Sequence, residues 1–265
     1  LLRISVLEKL IDATTERQRT GAGSLTFLSA RRGNSIAPPD WTCCSADHAS
    51  RDDLRMTLER VLRVGRPEVR LVARSNVLAV FGCTQAPEGL GDPVSTVLVL
   101  RSFALARLPE VAAGVPEADV VVLARSLLDR IARMGPLGLD LELPDSEVTV
   151  AWAGVLPPVS GWQAAGAIDA GSLAEVAAQG ITMIAEALPL APGDAVVRRA
   201  RREVWEQEIA PGLPAAAAFA AEAMGFLGAE GADPADRLPA RMSTTLTWSR
   251  LTTDRGEVLV RGFVR

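Results

Sequence analysis

The sequence predicts an α+β fold in which an antiparallel sheet, built from β-hairpins, packs with helices. Three observations support this prediction. Hydrophobic residues make up 48% of the 265 residues and charged residues 23%, which is the balance of a globular protein with a sizeable core. Pairs of apolar runs flank short polar turns, as in β-hairpins. These hairpins are grouped apart from the helices, whereas a doubly wound sheet alternates strands with helices.

The first half, residues 1–156, is predicted to be an α+β half with two β-hairpins. Apolar residues at helical spacing predict a helix over 4–18, and an apolar run at 24–30 predicts a short strand. A second helix is predicted to start at Ser50, whose hydroxyl caps it, and to reach about Arg63. The remaining predictions are a hairpin at 68–83 that turns around Asn76, a strand at 94–108, a helix at 118–134 and a hairpin at 139–155.

The second half, residues 157–265, is predicted to be helical until a final hairpin. It follows a joint rich in proline and glycine, "LPPVSGWQAAGAIDAG". Ser172 and Glu175 form a capping-box pattern that predicts a helix to about Leu188, and further helices are predicted at 194–209 and 214–227. The last hairpin, at 244–263, turns at Asp254-Arg255-Gly256. It is expected to pair with the earlier sheet, so that the halves form one compact unit.

Charge and lysine content disfavour several classes of function. The 28 basic and 32 acidic residues give a net charge of -4, so no overall field draws the protein to nucleic acid or to an anionic membrane. Lys9 is the only lysine, and it lies in a helical pattern with no glycine-rich loop before it. A phosphate-binding loop and a Schiff-base lysine are therefore disfavoured. The dominance of arginine over lysine is typical of a GC-rich genome, such as that of an actinobacterium.

Cysteine usage and hydropathy predict a cytoplasmic protein. Three cysteines form no disulfide framework, which indicates a reducing compartment. The N-terminal stretch carries acidic residues among its apolar ones and so lacks the uncharged core of a signal peptide. The longest apolar stretch, "LPAAAAFAAEAMGFLG", is shorter than the roughly 20 residues of a membrane span.

The stretch "DWTCCSADHAS" holds the only histidine, and it is the candidate catalytic site. Cys43 and Cys44 precede a predicted helix N-terminus, whose dipole stabilises a thiolate, and His48 is a base that would activate one. The favoured alternative is a structural loop, because no second ligand pair accompanies these side chains. Any catalytic triad or histidine-based site must use His48, which disfavours most hydrolases and metalloenzymes. We therefore expect neither a metal ion nor a cofactor.

Four arginines on one predicted helix are candidate binding residues: Arg198, Arg199, Arg201 and Arg202. The planar guanidinium group suits a phosphate or a carboxylate. The favoured alternative is a solvent-facing helix that supplies its own counter-charges, because Glu203 and Glu206 follow Arg199 and Arg202 at i,i+4.

Two pairs of carboxylates are weaker candidates for acid–base chemistry. Asp140 and Glu142 share one face of a predicted strand, opposite leucines at 139, 141 and 143, and Asp145 and Glu147 flank the following turn. The favoured alternative is the solvated outer face of a hairpin, which the alternation of the strand predicts without any function.

Trp162 lies in the loop "PPVSGW", where water would otherwise surround a large aromatic ring. It is predicted to plug the joint between the halves, with a recognition surface as the alternative. The helix at 214–227 is apolar on nearly every side and is interpreted as a core helix or a subunit contact. Its only ionisable group, Glu222, is expected at the surface.

Residues 172–188 resemble the start of the repressor type of helix-turn-helix. The second helix would present Met183 and Ile184, which cannot hydrogen-bond to bases or phosphates, so a DNA-binding regulator is an unlikely alternative. The loop "PPVSGW" and the helix "GLPAAAAFAAEAMGFLG" resemble segments of uncharacterised actinobacterial proteins. The order of hairpin, strand, helix and final hairpin is loosely similar to that of the chaperones of mycobacterial type VII secretion.

Two hypotheses of function follow. The first is a non-enzymatic cytoplasmic adaptor or chaperone-like protein that binds a partner protein, with a homo-oligomer through the apolar helix as a further prediction. The second is an enzyme or small-molecule binder that uses arginines and carboxylates in a cleft between the halves. A deep pocket with convergent Arg, Asp and Glu favours the second, and a flat apolar groove or an open sheet edge favours the first.

Overall fold

The computed structural model describes residues 42–74, 76–89, 91–107, 118–144, 147–189, 193–228 and 237–262. The helix predicted at 4–18 and the strand predicted at 24–30 lie outside these ranges. Helices and antiparallel strands both occur throughout the described chain, which confirms the predicted α+β class.

The strands of the structure are, in chain order, β1 Thr42–Ser45, β2 Glu68–Arg74, β3 Val77–Gln85, β4 Thr96–Arg107, β5 Ala118–Leu123, β6 Asp140–Glu142, β7 Gln163–Ile168, β8 Glu208–Ala210, β9 Leu213–Pro214, β10 Ala240–Thr244, β11 Trp248–Thr252 and β12 Glu257–Arg261. The helices are α1 His48–Val64, α2 Ala124–Arg133, α3 Ala170–Ala187, α4 Asp194–Trp205 and α5 Ala215–Ala223, with a short 3-10 helix at Ala151–Gly154.

The chain forms two compact units, and β3 and β4 each contribute residues to both. Unit 1 contains residues 1–62, 67–81 and 102–161, and unit 2 contains residues 63–66, 82–101 and 162–265. Unit 2 therefore draws on both halves of the sequence, whereas unit 1 takes only residues 157–161 from the second half.

The sheet of unit 1 places β5 beside β2 and β2 beside β3, with β1 paired to the second part of β4 and β6 paired to β1. The hairpin predicted at 68–83 is therefore present as β2 and β3. Leucines of α1 and α2 at positions 54, 58 and 127 are almost fully buried. Arg70 on β2 binds Asp119 on β5 with two hydrogen bonds, of 2.7 and 2.8 Å, and donates a third to the carbonyl of Ala153.

Two predictions within unit 1 are wrong. Residues 118–134 are not one helix, because residues 118–123, with three consecutive valines, form strand β5, with alternating buried and half-buried residues, before α2 begins at Ala124. The hairpin predicted at 139–155 is not formed by the residues that the structure describes there, because β6 pairs with β1 and the described residues after it make a single bridge, between Glu147 and Val122.

In unit 2, the first part of β4 pairs with β12, and β11, β10 and β7 follow in that order. The final hairpin is present as β11 and β12, and its pairing with the earlier strand β4 confirms the expectation from sequence. Gly256 in its turn is needed for space, since a Cβ atom there would lie 2.4 Å from Cζ of Phe226.

Helices α3, α4 and α5 pack together through small residues and one aromatic pair. Gly180 of α3 faces the ring of Trp205, and a Cβ atom on Gly180 would lie 2.2 Å from Cζ3 of that ring. Trp205 stacks on Phe219 of α5 with 4.7 Å between ring centroids. Six alanines of α5 are buried, which fits the core interpretation of this helix and leaves their methyl groups no surface for a subunit contact. Glu222 is exposed, as expected.

Both predicted helix caps are wrong in the same way. Asp47, not Ser50, caps α1, because its Oδ1 accepts the Ser50 amide at 2.7 Å. Asp169, not Ser172, caps α3, because its Oδ1 accepts the Ser172 amide at 2.8 Å. In each case the aspartate stands three residues before the serine and satisfies an otherwise unpaired amide of the first turn. These hydrogen bonds lower the pKa of both aspartates.

Candidate functional site

The cysteine and histidine side chains of "DWTCCSADHAS" do not converge in the structure. Cys43 and Cys44 are neighbours on β1, so their side chains point to opposite faces of the sheet. His48 is exposed in the first turn of α1. Burial raises the pKa of the Cys43 thiol to about 12. The pKa of the Cys44 thiol is also raised, mainly by desolvation and to a smaller extent by a hydrogen bond with Asp140. These shifts disfavour a thiolate, which is the nucleophilic form of cysteine.

The carboxylates of β6 lie on an exposed face. Asp140 and Glu142 are exposed while Leu141 between them is buried, as the alternation predicts. Glu142 forms an ion pair of 2.8 Å with Arg130 of α2, and Asp140 lies opposite Cys44. Asp145 lies outside the described residues, and Glu147 is exposed. Within the described ranges, no three His, Cys, Asp or Glu side chains are grouped as metal ligands would be.

The four arginines predicted to bind anions lie together along one cleft in unit 2. We call it the α4 cleft; it has a volume of about 360 Å³ and is lined by Gln85, Ala86, Glu88, Asp92, Val94, Ala195, Arg198, Arg199, Arg201 and Arg202. Helix α4 forms one wall, and the segment between β3 and β4 forms the other. All four arginines are exposed, so the cleft is open to solvent.

Two of the four arginines are paired, and one predicted pair is absent. Arg199 pairs with Glu203 at 2.7 Å, as the i,i+4 spacing predicts, and this pair raises the pKa of Arg199. Arg198 approaches Glu88 across the cleft at 3.7 Å. Arg202 does not pair with Glu206 as predicted, and among the residues that the structure describes neither Arg201 nor Arg202 forms an ion pair.

Glu206 joins the two walls of the α4 cleft. It stands at the C-terminal end of α4, and its Oε1 accepts the Gln85 side-chain amide at 2.6 Å and the Ser95 backbone amide at 3.0 Å. Its Oε2 accepts the Ser95 hydroxyl at 2.8 Å. Hydrogen bonds to an ionised carboxylate are stronger than neutral ones, so Glu206 fixes the distance between the walls. Sequence reasoning missed this role because Gln85 and Ser95 lie more than 100 residues away.

Trp162 lies against an arginine of the sheet of unit 2. The guanidinium carbon of Arg250 is 4.3 Å from the centroid of the Trp162 ring, which is a cation–π geometry. Arg250 also donates to the Ser243 hydroxyl at 3.0 Å. The ring is half-buried, so it is neither fully covered nor left in water. Both residues belong to unit 2, and Trp162 immediately precedes β7.

Strand β7 has one edge that no other described strand covers, and sequence reasoning missed this strand by assigning the segment to a joint. It is the last strand of its sheet and pairs only with β10 among the described residues. Residues 163–167 are all exposed, and none of the six residues "QAAGAI" is charged. The register shifts between Met242 and Ser243 of β10, which leaves Ala165 unmatched at a bulge next to Gly166. Small side chains and a glycine concealed the period-two pattern that marks a strand.

Residues 172–188 do not form a helix-turn-helix. They lie in the single uninterrupted helix α3, Ala170–Ala187, apart from its last residue, Leu188. None of the helices in the described ranges has the length and apolar content to cross a bilayer.

Comparison with known proteins gives two family matches without a function. Residues 41–154 match the family model "Domain of unknown function (DUF8010)", and residues 157–264 match "Domain of unknown function (DUF8185)". No curated protein matches the sequence.

Solved structures of bacterial sliding clamps are similar at low identity. The DNA polymerase III subunit beta of Pseudomonas aeruginosa has a TM-score of 0.44 and 15% identity, over 85% of this chain and 64% of that chain. The beta sliding clamp of C. crescentus has a TM-score of 0.44 and 14% identity, over 88% and 66%. The sliding clamp of Bacillus subtilis has a TM-score of 0.40 and 10% identity, over 84% and 64%. The chain thus spans less than two thirds of these clamps, and a likeness of this degree carries no information about function.

Proposed function

We propose that the protein acts by binding a partner protein, not by catalysis, and that an extended segment of the partner adds to the sheet beside β7. The observation that carries this proposal is the edge of β7 that no strand of the described residues covers. An edge strand presents backbone amide and carbonyl groups without partners, which a second strand can satisfy.

The composition of β7 supports this role. Proteins usually protect an exposed edge with lysine or another charged residue, and β7 has no charged side chain. Four of its five exposed residues are alanine or glycine, so another backbone can approach closely. Trp162 immediately precedes β7, and its half-buried ring offers an aromatic surface that can select a side chain of the added strand.

The occupant we propose is a different protein, not a second copy of this chain. In an antiparallel pair of two β7 strands, each strand would carry the bulge at Ala165. The hydrogen-bond ladder between the two copies would therefore be interrupted at two places. A strand from a flexible segment can adapt its register to a single bulge.

The test introduces charge into the edge. Replacing Ala165 and Ala167 with lysine is expected to abolish partner binding, measured with the partner that co-purifies from the native host. The matched control replaces Ala178 and Ala185, two exposed alanines of α3, with lysine, and should bind normally. Backbone amides of 163–168 should exchange hydrogen more slowly in the complex.

Two results would contradict this proposal. One is a partner that binds both lysine variants equally. The other is a dimer of the protein itself, seen by light scattering, that the edge variant converts to monomers, because the occupant would then be a second copy.

A further inference from the structure

We propose that the α4 cleft is a binding site for a small-molecule oxyanion, that is, for the phosphate or carboxylate group of a small ligand. This inference goes beyond the proposed function, since it concerns a different surface of unit 2 and does not depend on β7.

The helical spacing brings three guanidinium groups to the same side of α4. Arg198, Arg201 and Arg202 stand at i, i+3 and i+4, so their side chains project from one face. All three line the cleft, whose volume of about 360 Å³ lies at the lower end of small-ligand pockets. Arginine forks bind phosphate and carboxylate oxygens with two hydrogen bonds at a time.

The charged side chains on the two walls differ in whether they already have a partner within the protein. On α4, Glu203 neutralises Arg199, while Arg201 and Arg202 form no ion pair within the described part of the chain. On the opposite wall, Asp92 accepts the backbone amide of Glu88 at 3.0 Å and so stabilises its own loop. Glu88 alone reaches across, to Arg198, at the long distance of 3.7 Å.

Glu88 therefore acts as an internal competitor for the ligand. An oxyanion that enters the cleft must replace Glu88 as the partner of Arg198. Because this pair is long and exposed, it is weak and is exchanged at little cost. The predicted direction is specific: removing the charge of Glu88 should strengthen anion binding, whereas removing an ordinary surface carboxylate should not.

The cleft is held open before any ligand binds. The three hydrogen bonds of Glu206 to Gln85 and Ser95 tie the end of α4 to the facing segment, and Ser95 is buried. A site whose walls are already fixed loses less entropy when the ligand binds.

The experiment titrates the 265-residue chain calorimetrically with inorganic phosphate and, separately, with citrate, at constant low ionic strength. Binding of either probe supports the oxyanion site, and the tighter of the two identifies the group that it prefers. The variant R201A/R202A should weaken binding about tenfold or more, because it removes hydrogen bonds between charged groups. The control R125A/R133A removes two exposed arginines from α2 and should bind like the wild type.

A second variant keeps the test decisive if the arginine variant folds poorly. Glu88→Gln leaves every arginine in place and is expected to tighten binding about 1.5- to fivefold. Unfolding cannot produce tighter binding. The proposal is overturned if the wild type binds neither phosphate nor citrate, if R201A/R202A and R125A/R133A weaken binding equally, or if E88Q leaves the affinity unchanged.

Discussion

Replacing Gly180 with alanine is expected to destabilise the protein, although alanine is the better helix former. Gly180 lies within α3, where alanine ordinarily gains about 1 kcal/mol over glycine. Here the new methyl group would lie 2.2 Å from Cζ3 and 2.6 Å from Cη2 of Trp205. That ring is 3% exposed and stacks on Phe219, so it has little room to move.

The expected loss follows from these two opposing effects. Forcing an extra carbon into a packed core costs roughly 1–3 kcal/mol, and contacts this short belong in the upper part of that range. Subtracting the gain in helix propensity leaves a net destabilisation of about 1–2 kcal/mol. For a chain of this size the melting temperature should fall by about 2–8 °C.

A double-mutant cycle with Trp205→Phe separates steric crowding from other causes. Phenylalanine lacks the outer ring atoms that crowd Gly180, so in that background G180A should be neutral or stabilising by up to about 1 kcal/mol. Thermal unfolding of all four proteins, followed by far-ultraviolet circular dichroism, measures the difference. The reasoning is refuted if G180A raises the melting temperature of the wild type, or changes it equally in both backgrounds.

Three further predictions concern other parts of the molecule. Burial raises the pKa of Glu257, whose Oε2 is buried with no hydrogen bond among the described residues. The Glu257 carboxylate therefore binds a proton more readily in the folded protein than in the unfolded chain. The free energy of unfolding should thus fall as the pH rises above 4.5, the ordinary pKa of a glutamate. Glu257→Gln should therefore stabilise the protein at pH 7 but not at pH 4, in urea unfolding at each pH, and equal effects at both would contradict this. Arg70→Ala removes the ion pair of Arg70 with the half-buried Asp119 carboxylate and should cost about 3–5 kcal/mol, against at most about 0.5 kcal/mol for the exposed Arg55→Ala; similar losses in chemical unfolding would exclude this account. Cys43 and Cys44 should react with iodoacetamide at pH 7 more slowly than free cysteine, and faster labelling by mass spectrometry would restore the reactive-thiol hypothesis.

Local patterns predicted the second half of the chain best. Helices α3, α4 and α5 and the hairpin of β11 and β12 all occur close to their predicted places, because apolar periodicity and a short polar turn specify them within a few residues. Strand β5 was mistaken for part of a helix because the run at 118–123 continues into α2 with no glycine or proline between them. The pairing of β6 with β1 could not be predicted, since it joins segments about 100 residues apart.

The same distinction holds for the candidate sites. The arginines of the α4 cleft were visible from sequence because they lie within five residues on one helix. Their facing wall was not, since contacts between residues 85–95 and Glu206 depend on the tertiary fold. Glu206 was expected to pair with Arg202, its neighbour on the helix. In the structure, the Glu206 carboxylate instead accepts hydrogen bonds from the backbone amide and the hydroxyl of the buried Ser95.

Strand β4 limits how the gene for this protein can be divided. The two family matches meet near residue 156, yet Thr96–Leu100, from the first match, pairs with β12, from the second. A fragment made of residues 157–265 alone would leave one edge of β12 bare, with the buried Val258, Leu259 and Val260 losing their neighbours. Recombination that exchanged one half of the gene without the other would likewise alter the pairing between β4 and β12. The two segments are thus expected to be inherited together, as a pair that is contiguous in the gene and interleaved in the protein.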